Sequence, residues 1–62
     1  MEEKDLLLNA IRVAAEDAVR TDSKPDIEGL AATLARLYPK AGMSRSEIVY
    51  EIGRALVRAS LH

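Results

Sequence analysis

The chain contains no cysteine, phenylalanine or tryptophan. Without thiols it has neither a disulfide framework nor a thiolate metal site, and nothing in it asks for an oxidising compartment. Tyr38 and Tyr50 are the only aromatic residues, which excludes a stacking platform for single-stranded nucleic acid. A core must then come from Leu, Ile, Val and Ala, a composition that suits closely packed helices. The one histidine, His62, is the last residue, and a fraying chain end holds a general base poorly.

Glycine is equally sparse. Gly29, Gly42 and Gly53 stand alone, so no Gly-rich loop cradles a phosphate. The apolar runs are short of the roughly 20 residues that cross a bilayer. The start MEEKD is acidic, and LLLNAIRVAAEDAV is broken by Arg12, Glu16 and Asp17, so no secretory leader is expected. The expectation is a soluble cytoplasmic protein with no membrane partner.

The parts of a catalytic site are missing too. The serines at 23, 44, 46 and 60 have no base beside them and read as caps or surface residues. The carboxylate pairs Glu2–Glu3 and Glu16–Asp17 are adjacent, and adjacent helical residues diverge by about 100°. Asp22, Asp26 and Glu28 hint at a cation loop, but Lys24 and Pro25 stand where such a loop needs a ligand and a flexible backbone. No metal, no cofactor and no enzymatic activity are expected.

What is present is helical periodicity in three segments, near residues 3–20, 26–38 and 44–61, an all-α three-helix domain spanning 1–62. In the first, Leu7, Leu8, Ala10, Ile11, Ala14, Ala15 and Ala18 cover almost half the circumference, an arc suited to more than one neighbouring helix. Arg12, Glu16 and Arg20 are spaced for i,i+4 pairing on the solvent side. TDSKP breaks the pattern, with Lys24 biased away from helical angles by the proline that follows and Asp22, Ser23 and Asp26 available as caps. In the second, Ile27, Leu30, Ala31, Leu34, Leu37 and Tyr38 form the core stripe, and Pro39 ends it.

The third segment is the clearest. Ser44 and Glu47 have capping-box spacing, and Gly42 suits a left-handed turn closing the helix before it. Ile48, Val49, Ile52, Ala55, Leu56 and Ala59 share one arc, and Glu47, Glu51, Arg54 and Arg58 another. A third arc holds Tyr50, Val57 and Leu61, almost opposite the core stripe, with Gly53 allowing close approach. Leu6 and Val13 are similarly surplus on the first segment.

These surplus residues bear on size. A chain of 62 residues buries only about 60% of its unfolded surface, and burial then roughly balances entropy. With no disulfide or metal available, oligomerisation is the remaining source of stability. The sequence therefore predicts a homodimeric helical bundle whose self-association or partner interface uses Leu6, Val13, Tyr50, Gly53, Val57 and Leu61. The function expected is a small regulatory or adaptor module acting through protein–protein contacts, with a larger protein as a further partner.

DNA binding is the alternative. Residues 1–30 carry four basic and eight acidic side chains, and residues 31–62 five and two, so the halves hold −4 and +3. The second segment, a short turn and a capped third segment have a helix-turn-helix outline, with Arg36, Lys40, Arg45, Arg54 and Arg58 as candidate contacts. GMSRSEIVYEIGRAL, about a quarter of the chain, resembles the second helix of ribbon-helix-helix repressors. That resemblance implies a DNA-reading strand before the second segment, and TDSKP is no strand. A pI of 5.7 is low for such a domain.

Overall fold

The computed structural model describes residues 2–61, and His62 lies outside them. The described residues form three helices: α1 (Glu3–Arg20), α2 (Ile27–Leu37) and α3 (Arg45–Ser60). Among the described residues there is no strand, TDSKP included.

Each boundary has a local cause. At the end of α1, Ser23 N–H donates to Ala18 C=O at 2.9 Å and Asp22 N–H to Val19 C=O at 3.2 Å. This paired pattern needs a left-handed residue between helix and loop, and Asp22 supplies it at φ 54°. The Asp26 carboxylate caps α2 by accepting from Gly29 N–H at 3.1 Å. Pro39 disfavours helical angles at the residue before it, and Tyr38 accordingly sits at φ −125°, ψ 62°. A turn follows at once, closed by Ala41 N–H donating to Tyr38 C=O at 3.2 Å, with Pro39 at the second position where its fixed φ fits. Ser44 and Glu47 then make the full capping box that opens α3.

α3 is the middle of the structure. It packs against both α1 and α2, while those two make little contact with each other. The core joins Leu7 and Ile11 of α1, Ala31 and Leu34 of α2, Ala41 of the connector, and Ile48 and Ile52 of α3. Leu7, Ile48 and Ile52 are the large side chains wholly removed from water, each worth about 1.5–3 kcal/mol of burial. The Cα radius of gyration, 11.0 Å, is close to the roughly 10.6 Å of a compact chain this long.

Several expectations are corrected. Leu37, assigned to the α2 core stripe, is 61% exposed: it is the last residue of α2, at the edge of the stripe, and the chain turns away beyond it. Gly42 is left-handed as expected, at φ 75°, but it does not close α2, which has already ended at Leu37. Arg20 pairs with Asp17 rather than Glu16. The wide apolar arc of α1 has one principal neighbour, α3, instead of two.

Candidate interaction face of the third helix

α3 projects its side chains in three directions. Ile48 and Ile52 are buried, and Val49, Ala55, Leu56 and Ala59 are half-buried beside them. Tyr50, Val57 and Leu61 point the other way and are 64%, 63% and 79% exposed. Together with Gly53 they line one shallow depression whose edge is formed by Arg54 and Arg58. Its surface is mostly carbon. The Arg54 guanidinium lies over the Tyr50 ring, 5.8 Å from the centroid, a cation–π arrangement that holds the ring against the helix.

Gly53, midway along this face and on the edge it shares with Ser46 and Ser60, is not demanded by the rest of the fold. A Cβ built there meets no atom within 4 Å. A mid-helix glycine costs roughly 0.5–1 kcal/mol relative to alanine, and nothing within the described chain offsets that.

Charge runs along one edge of the apolar face. Glu47 and Glu51 occupy its N-terminal half, Arg54 and Arg58 its C-terminal half. The Ser44 main-chain N–H donates to Glu47 Oε1 at 2.9 Å. That bond, helped by the Ser44 hydroxyl and by the Lys4 ammonium, holds the Glu47 carboxyl below its ordinary pKa against a small opposing effect of desolvation. Arg54 Nη1 lies 3.9 Å from Glu51 Oε2, a loose exposed pair of little energetic weight.

The structure divides the six residues of the expected interface. Tyr50, Gly53, Val57 and Leu61 come together. Val13, half-exposed, lines a separate depression on α1 with Ala10 and Ala14, and Leu6, 42% exposed, lines neither.

The basic candidates are dispersed as well. Arg36 lies in the last turn of α2 and Lys40 sits in the turn that follows, its main-chain N–H bound to the Glu3 carboxylate. Arg45 opens α3 and reaches across to Glu28, 3.2 Å away. Arg58 is thirteen residues further along α3, about 20 Å at 1.5 Å per residue.

One feature has no counterpart in the single-helix patterns. Where α1 meets α3, a groove with Leu8, Ile11, Ala55 and Ala59 at its base is rimmed by Arg12, Glu16, Glu51, Arg54 and Arg58. The signal was present as two charged arcs, on α1 and α3, but only packing shows that they face each other. Among the described residues no group of three or more His, Asp or Glu is placed to hold a metal ion, and no helix is long and apolar enough to cross a membrane.

Comparison with protein-family models, curated proteins and solved structures finds no match.

Proposed function

We propose that the protein is a small non-enzymatic regulatory or adaptor module of the cytoplasm, working through protein–protein contacts that include its own self-association. The observation that carries this reading is the exposed face of α3. A single apolar residue on a surface is ordinary. Three large ones with a glycine among them, at one-face spacing on the helix that also organises the core, make a contiguous contact surface. Such a face suits the helix-in-groove or helix-on-helix mode of recognition.

The test replaces Tyr50 and Val57 together by Glu. Both side chains are mostly exposed, so the variant is expected to fold. It should lose the association that wild type shows in sedimentation and lose any protein recovered by the immobilised wild-type chain. A wild-type chain that stays monomeric and recovers no protein dependent on Tyr50 and Val57 overturns the proposal.

The second reading, a DNA-binding regulator using α3, draws on the exposed Arg36, Lys40 and Arg45 around the α2–α3 turn. It is the weaker one, because Arg45 is paired with Glu28 and Arg54 lies near Glu51. Salt separates the two. Binding to duplex DNA should fall steeply between about 50 and 200 mM salt through counterion release, whereas contact through an apolar face should hardly change.

A further inference from the structure

We infer that the face of α3 is covered by the same face of a second copy, running antiparallel and crossing at Gly53. This rests on the reading of α3 as a protein-contact surface and names its occupant. Three observations select it.

The first is the distribution of the apolar residues. Tyr50 and Val57 lie almost equally far on either side of Gly53. A two-fold axis beside Gly53 therefore sets Tyr50 of one copy against the partner's Val57, and Val57 against the partner's Tyr50. Such an isologous contact closes on itself.

The second is charge. In an antiparallel pair related by that axis, the same edge of the two helices comes together with its direction reversed. Glu47 and Glu51 of one copy then run alongside the partner's Arg54 and Arg58. The acidic half of each edge thus lies beside the partner's basic half, with the two Arg54 side chains flanking the axis, and specificity follows from that complementarity. In a parallel pair the charged edge faces the Ser46, Gly53 and Ser60 edge instead, and no charges are matched.

The third is Gly53 itself. Its missing Cβ leaves open space in the single chain, so the helical penalty of glycine has no return there. At a helix crossing it has one, because interaxial distances of about 8–10 Å are set by the side chains at the contact.

The experiment uses the whole chain, which has no native cysteine. Sedimentation equilibrium gives the dimer dissociation constant of wild type and of Gly53→Gln. Gln is a good helix former, so at dilutions where the chain is monomeric the variant should melt a few degrees higher. Its dimer dissociation constant should nevertheless rise at least tenfold. In a separate measurement, equimolar Ser46→Cys and Ser60→Cys chains are oxidised together. An antiparallel seam brings Ser46 of one copy beside the partner's Ser60 and yields mainly the mixed 46–60 disulfide; a parallel one sets both positions against the partner's charged edge and gives no excess of the mixed product. A dimer indifferent to Gly53→Gln, or a mixed disulfide no more abundant than the like-with-like ones together, overturns the antiparallel seam. A monomeric wild type that still binds another protein through Tyr50 and Val57 overturns this inference and leaves standing the reading of α3 as a protein-contact surface. A dimer unaffected by the joint Tyr50→Glu and Val57→Glu change removes self-association through this face altogether.

Discussion

The Glu3 carboxylate accepts a hydrogen bond from the main-chain N–H of Lys40, 37 residues away. It ties the first turn of α1 to the turn between α2 and α3, and its acceptor is charged, which makes such bonds stronger than neutral ones. Because the bond is exposed, its loss should be modest. Glu3→Ala should lower the unfolding free energy by about 0.5–1.5 kcal/mol and Glu3→Gln by less, read from the urea midpoint at constant slope. Equal losses from the two substitutions would mean that the amide oxygen cannot replace the carboxylate.

A second prediction concerns pH. The Glu47 carboxyl titrates below its ordinary value because it accepts the Ser44 N–H and is near the Ser44 hydroxyl and Lys4. A carboxyl with a lower pKa in the folded state than in the unfolded chain adds stability above the unfolded value. That contribution disappears as pH falls from about 4.5 through the folded value. Wild type should therefore lose more stability between pH 6 and pH 3 than Glu47→Gln does. Parallel losses in the two proteins would contradict this.

The end of α1 offers a stabilising change. Asp22 occupies a left-handed conformation that glycine adopts without strain, and its carboxylate lies at the negative end of the helix dipole. Asp22→Gly should raise stability by about 0.5–1 kcal/mol, seen as a higher melting temperature. Asp22→Val should lower it, since a β-branched residue at positive φ is strained.

The contrast between Ile48 and Leu37 tests the core. Ile48 is fully buried and Leu37 is 61% exposed. Ile48→Ala should remove about 2–5 kcal/mol. At roughly 0.05–0.15 kcal/mol per residue for natural proteins, that is most of the stability available to a chain this short. Leu37→Ala should change stability by no more than about 0.5 kcal/mol. Circular dichroism melts of the two variants give the comparison directly.

These two residues also show where sequence patterns stop being informative. Ile48 lies mid-arc on a capped helix, and any core-facing rotation of α3 buries it. Leu37 lies at the edge of its arc, and whether an edge position is covered depends on where the next helix goes. Tyr38 and Pro39 send the chain away there, a three-dimensional fact that periodicity does not carry. Ala41 is the opposite case: it is 7% exposed although it sits in a connector, where no period marks it. The capping box of Ser44 and Glu47 was legible because every partner lies within four residues. The Arg45–Glu28 pair and the Glu3–Lys40 bond span 17 and 37 residues and are set by how the helices pack. On the candidate face, the clustering of Tyr50, Gly53, Val57 and Leu61 follows from helical spacing alone, whereas the separation of Leu6 and Val13 from it depends on how α1 lies on α3.

The scant meeting of α1 and α2 has a kinetic consequence. α2 and α3 are neighbours in sequence joined by a tight turn, so their pairing closes a short loop, while α1 docks across a much longer one. The hairpin of α2 and α3 should be largely built in the folding transition state and α1 should arrive afterwards. Truncating Leu7 would then chiefly quicken unfolding, and truncating Leu34 would chiefly slow refolding.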